Sequence, residues 1–278
     1  MKLLEGKKVA EFIYSKLLLE LSLLSVVPRM VVVLVGKDPA SQTYVRSKTK
    51  KCMDLGIRGE TMELPDSTSE AELLGKIREL NEDKTVHGIL VQLPLPSHIN
   101  KTRIVREIHS LKDVDGLTPE NTGRLWQGDA QLVPCTPAGI IEMLKFYGIP
   151  IEGARAVVVG RSEIVGKPIA NLLLGHQATV TICHSKTHHL AEETKRADIL
   201  IAAMGKAKFI GPEMVRDGAT VIDVGIHRIN DKLCGDVDFE KVAPKVGAIS
   251  PVPGGVGPMT IAMLMKNLVT AAKLQQEK

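Results

Sequence analysis

Residues 157–168, VVVGRSEIVGKP, run a β-branched segment into a glycine, as a buried parallel strand runs into a phosphate-binding turn. Helical periodicity follows over Val165–Leu174, and Pro168 suits a first helical turn, where a missing N–H has no intrahelical partner to lose. In a doubly wound sheet the carboxyl end of a strand meets a helix N-terminus, whose orphan N–H groups and positive dipole end attract phosphate. Here the glycines are Gly160 and Gly166, not in GxGxxG spacing, and a guanidinium, Arg161, follows the first. Taken alone, the loop fits equally well a tight strand-to-helix connection with Arg161 solvated.

Outward from this loop the alternation repeats. Short apolar runs predict strands at Met30–Gly36, Gly59–Leu64, His87–Leu93, Ala154–Gly160, Thr179–His184, Asp198–Met204 and Ala219–Gly225. Segments of helical period predict helices at Ala40–Leu55, Ser69–Asn81, Thr136–Tyr147 and Val165–Leu174. Strand alternating with helix predicts an α/β fold with parallel sheets. Around Lys112–Gln131 the alternation breaks, and Asp113, Asp115, Gly116, Pro119, Gly123 and Gly128 read as loop chemistry. A domain boundary is expected there, with an N-terminal α/β catalytic domain over 1–119 and a C-terminal Rossmann-like nucleotide domain over 120–278. Glycine and proline crowd again in SPVPGGVGP at 250–258, before an amphipathic helix from Met259 to about Leu274 that is expected to pack back on the first domain.

The second strand of the nucleotide half, Thr179–Cys183, ends in His184-Ser185-Lys186-Thr187. An NAD site usually carries an acid there for the ribose 2′-hydroxyl, and none is present. Arg161 with Ser185, and Lys186 beside them, suits a 2′-phosphate instead, which favours NADP.

At 278 residues the chain exceeds the usual size of one domain. Its 44% hydrophobic and 24% charged residues are ordinary for a globular protein and exclude the disordered class. A net charge of +4 without a run of five like charges, and aromatics at 3%, argue against nucleic acid and for small anionic ligands. Cys52, Cys135, Cys183 and Cys234 are scattered with no CxxC pair, which predicts free thiols and a cytoplasmic protein. No run of about 18 uncharged apolar residues offers a membrane span, and charges interrupt the apolar residues of MKLLEGKK at the start, so neither export nor insertion is expected. His184, His188 and His189 come without HExxH or a carboxylate cluster, so no metal is expected.

The segment from Ala40 to Cys52 places a cation oddly. At 100° per residue Lys48 lies about 40° round the helix from Tyr44, in the apolar sector of Val45, Cys52 and Leu55. Arg46 and Lys50 project to the opposite face, and Lys51 sits at the edge of the stripe. A lysine held against apolar surface has its neutral form favoured and can serve as a base near neutral pH. The same spacing fits a lysine whose stem covers apolar surface while its head stays wet. Gln92, which interrupts the apolar run at 88–93, and Asp115, in the turn Asp113-Val114-Asp115-Gly116, add polar groups to the same half. Each also fits a structural part, an interior hydrogen bond or a turn cap.

Seven motifs, in order, resemble the bifunctional methylenetetrahydrofolate dehydrogenase/methenyltetrahydrofolate cyclohydrolase family: PASQTYVRSK at 39–48, HGILVQLPLP at 87–96, KDVDGL at 112–117, PCTP at 134–137, GRSEIVGKP at 160–168, CHSKT at 183–187 and PVPGGVGPMT at 251–260. The resemblance implies two consecutive reactions of one-carbon folate metabolism. Hydride passes from 5,10-methylenetetrahydrofolate to NADP, and water then opens the methenyl cation to 10-formyltetrahydrofolate. It implies that Lys48 is the catalytic lysine, with Tyr44 on the folate, Gln92 tuning the lysine and Asp115 gripping the pterin. It further implies folate contacts at Val91, Leu93, Pro253, Gly254, Gly255 and Val256. NADP contacts are implied at Thr136, Gly160, Arg161, Ser162, Val165, Gly166, Ser185 and Ile226. His227 departs from the asparagine expected after Gly225-Ile226. A homodimer is implied, with Thr179–Cys183 and a β-hairpin around Asn230–Gly235 as contacts. Two other readings compete, a shikimate- or amino-acid-type NADP dehydrogenase sharing only the nucleotide domain, and a nucleotide-sensing module without catalysis.

Overall fold

The structure, a computed structural model, describes residues 1–276. The chain opens with strand β1 (Lys2–Leu3) and helix α1 (Gly6–Ser22), then alternates through β2 (Arg29–Val35), α2 (Pro39–Asp54), β3 (Arg58–Leu64), α3 (Glu70–Glu82), β4 (Gly88–Val91) and α4 (Lys101–Glu107). Helices α5 (Pro119–Gln127) and α6 (Cys135–Phe146) lead to β5 (Arg155–Val159), α7 (Gly166–Gly175), β6 (Thr179–Cys183), α8 (Leu190–Thr194), β7 (Ile199–Ala202) and β8 (Thr220–Asp223). The chain ends with β9 (His227–Ile229), β10 (Lys232–Cys234), α9 (Phe239–Val242), β11 (Ala248–Ile249) and α10 (Val256–Gln276).

Two compact units divide this chain: one is Ile13–Val133 with the chain from Leu264 onward, the other Met1–Phe12 with Pro134–Met263. The second half of α10 therefore belongs to the unit that contains β2, β3 and β4.

In that unit the three strands form a parallel sheet in the order β3-β2-β4. Val31, Val33 and Val35 of β2 pack with Leu73 and Ile77 of α3 and Ile104 of α4, while Met30, Val32 and Leu34 are buried on the opposite face. A strand covered on both faces reads as a continuous apolar run, which is why it was legible. Helix α3 starts on a reciprocal cap in which Ser69 Oγ accepts the Glu72 N–H and the Glu72 carboxylate accepts the Ser69 N–H.

The other unit holds a six-stranded sheet in the order β1-β11-β8-β7-β5-β6, with every pairing parallel. After β6 the chain crosses back to the far side of β5, so the strand order reverses at β5. Such a switch point opens a ligand crevice at the carboxyl ends of the strands. Val157, Val159, Leu200, Val221 and Ile249 build the core on one face. Strands β9 and β10 form a separate hairpin whose turn residues Asn230 and Asp231 take positive φ, as a tight two-residue turn requires.

The Lys112–Gln131 loop expectation needs correction, because α5 lies within it. Thr118 Oγ1 accepts the Asn121 N–H, Pro119 occupies the first turn, and Gly128 ends the helix at φ 85°. Proline and glycine read as loop punctuation are here the start and stop of a helix. Strands β1 and β11, two residues each, are too short to leave a period in the sequence. Helix α10 begins at Val256, ahead of Met259.

Candidate functional site

Helix α2 begins at Asp38, whose carboxylate accepts the Ser41 N–H at 2.7 Å, with Pro39 in the first turn. Its buried stripe is Ser41, Val45 and Cys52, and Arg46 and Lys50 face water. Lys51 leans over the Tyr14 ring at 4.7 Å and pairs with Asp54 at 3.0 Å. Lys48 is half-buried and turns the other way, donating from Nζ to Gln92 Oε1 at 2.9 Å. Gln92 is buried just past β4; its N–H donates to Val33 O, and Nε2 donates to Leu93 O at 2.7 Å. The second bond fixes which end of the amide faces the lysine. Val91 is buried and Leu93 half-buried beside it, and Tyr44 is exposed one turn before Lys48.

The turn that carries Asp115 is built by its neighbours. Asp113 bridges in parallel to Ile89 of β4, and its buried carboxylate accepts N–H groups of Gly116 at 2.9 Å and Thr118 at 2.7 Å and Nδ2–H of Asn121 at 2.9 Å. Lys112 Nζ donates to the carbonyls of Leu80, Asn81 and Asp83 at 2.7 to 2.9 Å, closing the end of α3; burial pushes its pKa down. Asn267 Nδ2 donates to Val114 O at 2.9 Å. With Lys112, Asp113 and Val114 pinned, Asp115 is half-buried on a turn held by its neighbours. Nothing in residue spacing announced Lys112 or Asp113 as anchors.

In the other unit, Gly160 turns at φ 133°, and a Cβ there would collide with Ala203 O; a Cβ at Gly166 would collide with Gly160 O. Both glycines are thus required by close backbone approach. Ser162 Oγ accepts the N–H groups of Val165 at 3.2 Å and Gly166 at 3.3 Å, and Ser162 O accepts that of Lys167. The first amides of α7 are therefore taken, contrary to the open helix N-terminus expected. What the loop presents to an anion is the exposed Arg161 guanidinium, the Ser162 hydroxyl proton and the helix dipole. Gly160 N–H donates to Cys183 O at 2.9 Å, so the start of this loop adjoins the end of β6. There Thr187 Oγ1 and His184 Nδ1 accept backbone N–H groups of His184 and Lys186, and Ser185 is exposed. The turn 184–187 holds no carboxylate. Cβ-free glycines, a guanidinium and hydroxyls fit a nucleotide bearing an extra phosphate.

Thr136 and Thr260, at the starts of α6 and α10, share a hydroxyl hydrogen bond of 2.8 Å. Ahead of α10, Gly254 takes φ 96°, and a Cβ at Gly255 would collide with Pro251 O. Pro253 is exposed and Val256 buried. Thr136, Thr260 and residues 253–256 lie in the same unit as Gly160, whereas Tyr44, Lys48, Gln92 and Asp115 lie in the other. Ile226 is exposed before β9.

Sequence reasoning missed the buried acids Asp223 and Asp236. Burial pushes Asp223 up to about 6, against the N–H groups of Val237, Asp236 and Gly225 that its carboxylate accepts, with the Asp236 charge adding to the rise. The cue available was an acid flanked by apolar residues and glycine in VIDVG and CGDV.

A doubly wound sheet with a glycine turn, an arginine and no acid after the second strand belongs to a dinucleotide-dependent α/β enzyme, here with a lysine–glutamine pair in its other unit. Comparison with known proteins narrows this class. Residues 4–115 match the model of the tetrahydrofolate dehydrogenase/cyclohydrolase catalytic domain, and residues 134–276 that of the family's NAD(P)-binding domain. The chain is 54% identical over 276 residues to the bifunctional protein FolD of Moorella thermoacetica, covering 98% of this chain and 99% of that one. The crystal structure of the bifunctional FolD dehydrogenase/cyclohydrolase of Campylobacter jejuni superposes with TM-score 0.96 at 48% identity, covering 99% of each chain. The Trypanosoma brucei enzyme, solved with NADP and an inhibitor, superposes with TM-score 0.94 at 38% identity, covering 99% of this chain and 98% of that one. The chain belongs to the tetrahydrofolate dehydrogenase/cyclohydrolase family.

Proposed function

We propose that the Lys48–Gln92 pair handles the protons of the hydrolytic step in a two-step folate enzyme, and that Asp115 and the Gly160–Gly166 loop hold the two ligands. As a member of its family the chain is an NADP-dependent 5,10-methylenetetrahydrofolate dehydrogenase and a 5,10-methenyltetrahydrofolate cyclohydrolase. NADP, held by Gly160, Arg161, Ser162, Val165, Gly166 and Ser185 with Thr136 and Ile226 beside it, supplies the hydride acceptor. Oxidation of the methylene carbon needs positioning more than acid or base, because the two flanking nitrogens stabilise the resulting cation.

Hydrolysis is different. Water adds to the methenyl carbon and loses one proton; the hydroxyl then gives up its own proton as the carbon–N5 bond breaks, and N5 gains one. An amine at that carbon can take the first proton and return one to N5. Lys48 suits this task because Gln92, a neutral acceptor locked by Leu93 O, aims Nζ without the negative charge that would favour the ammonium form. That geometry is the observation that carries the reading. Asp115, an acceptor on a turn held by its neighbours, suits the donor-rich pterin edge, with Tyr44, Val91 and Leu93 in the same unit; the family resemblance also assigns folate contacts to Pro253, Gly254, Gly255 and Val256.

The test is Lys48→Gln assayed for both reactions. Methenyl hydrolysis is expected to fall by about 10²- to 10⁴-fold, the usual contribution of a general acid–base group, while hydride transfer persists. Equal survival of both activities would remove Lys48 from the mechanism.

Two coarser features extend the reading. Among the described residues no helix is long and apolar enough to cross a membrane, and a cytoplasmic location is supported by four free cysteines. A homodimer is supported by the exposed edge strand β6, with Ile182 outward, and by exposed Ile229 and Leu233 on the β9–β10 hairpin.

A further inference from the structure

A buried acid outside all seven motifs ties the nucleotide-side loops together. Asp236 is wholly buried, and its carboxylate is bonded from four directions. Oδ2 accepts the N–H groups of Met204 at 2.7 Å and Gly205 at 2.9 Å; Oδ1 accepts the Lys206 N–H at 2.9 Å and sits 2.7 Å from His227 Nε2. Gly225 makes room for this, since a Cβ there would collide with Asp236 Oδ1. Asp223, at the end of β8, holds the backbone of Asp236 and Val237 in turn. Three segments thus meet at one carboxylate: the turn after β7, the start of β9 with Ile226 just before it, and residues 235–237.

The turn after β7 is also the wall of the phosphate loop. Ala203 N–H donates to Val159 O at 2.8 Å, and Ala203 O is the atom that excludes a side chain from Gly160. A carboxylate that collects several N–H donors is a strong, directional anchor. Deleting one donor leaves the remaining buried charge short of a partner and loosens what it holds. Histidine suits the fourth place, because Nε2–H is available both in the imidazolium and in the neutral tautomer that an acceptor at Nε2 selects.

We propose that Asp236 and His227 are positioning residues for the nucleotide: without contacting NADP they set its affinity by fixing Ile226 and the Met204–Lys206 turn against the Gly160 loop. The proposal rests on the reading of Gly160, Arg161, Ser162 and Ile226 as the nucleotide site. A loosened wall must be reordered on binding, and that cost appears as weaker affinity.

The experiment uses the full chain with His227→Leu, His227→Gln, Asp236→Asn and, for reference, Arg161→Ala. NADP affinity is measured by calorimetry, dehydrogenase KM and kcat by steady state, and cyclohydrolase on methenyltetrahydrofolate without NADP. His227→Leu is expected to weaken NADP binding about tenfold, as for loss of one charge-assisted hydrogen bond, with KM for NADP rising in step and cyclohydrolase retained. His227→Gln, which keeps a donor at similar reach, should stay near the parent, and Asp236→Asn should behave like His227→Leu. Loss of both activities together in His227→Leu and Asp236→Asn would mark a purely structural bond and overturn the proposal, as would equal damage from Gln and Leu at 227. Unchanged affinity in His227→Leu alongside weakened Arg161→Ala would overturn the proposal alone; unchanged affinity in Arg161→Ala would overturn the underlying nucleotide-loop reading as well.

Discussion

At the scale of single residues, the informative signal was a polar group where periodicity demanded an apolar one. Lys48 falls in the sector of Val45 and Cys52, and in the structure it is the lysine of α2 whose Nζ meets Gln92. The identity of that partner was beyond spacing, because Gln92 is 44 residues away and is delivered by the β2–β4 pairing. The pair yields a directional prediction. Gln92→Glu puts a carboxylate in place of a neutral amide, which favours the ammonium form. Cyclohydrolase at neutral pH is expected to fall about tenfold or more, one pKa unit being a factor of ten in the base fraction, and its pH–rate profile to move to higher pH. An unchanged profile would show that the amide does not address the base of the hydrolytic step.

Among elements, helices with a full amphipathic period were legible to within a residue or two, as for α2 and α3. Helix α5 was not, because its capping residues resemble a loop. Its C-cap makes a test. Gly128 stands at φ 85°, and a Cβ there would meet nothing within 4 Å, so Gly128→Ala isolates backbone strain from packing. Urea unfolding of this variant is expected to show a loss of about 1 to 2 kcal/mol. A loss near zero would mean that the end of α5 refolds into another cap. The buried acids Asp223 and Asp236 lay outside element-level reading altogether, since strand and turn propensities say nothing about which carboxylate will gather which amides.

For the whole molecule, stability should carry a pH signature from His87. Burial first, then the charges of Lys112 and Arg29, lower its pKa, with Asp83 opposing; its Nδ1 accepts the Arg29 N–H at 3.1 Å, a bond only the unprotonated nitrogen can make. A folded pKa below the unfolded value of about 6.5 contributes stability that is present above that value and lost as pH falls through the folded pKa. The His87 contribution is therefore lost as pH falls below about 6.5, while Asp223, pushed up to about 6, contributes with the opposite sign over the same range. The His87 part is read as a difference: the stability lost by the parent relative to His87→Asn, which keeps an acceptor near Nδ1 but does not titrate, is expected to grow as pH falls in urea unfolding, and a pH-independent difference would assign no titration to His87.

By itself the sequence determined the α/β class, the positions of the longer buried strands, the glycine turn with its arginine, and the face on which Lys48 lies. All of these follow from local periodicity and from backbone sterics acting within a few residues. The Lys48–Gln92 bond, implied by the family resemblance but not by spacing, is delivered by strand pairing, and tertiary structure alone decided that Lys112, Asp113 and Asn267 hold the turn of Asp115 and that Asp236 joins three loops to His227. Those are hydrogen bonds between distant segments, whose partners are chosen by strand order and by the requirement that each buried polar group be satisfied, neither of which is written in any short stretch of chain.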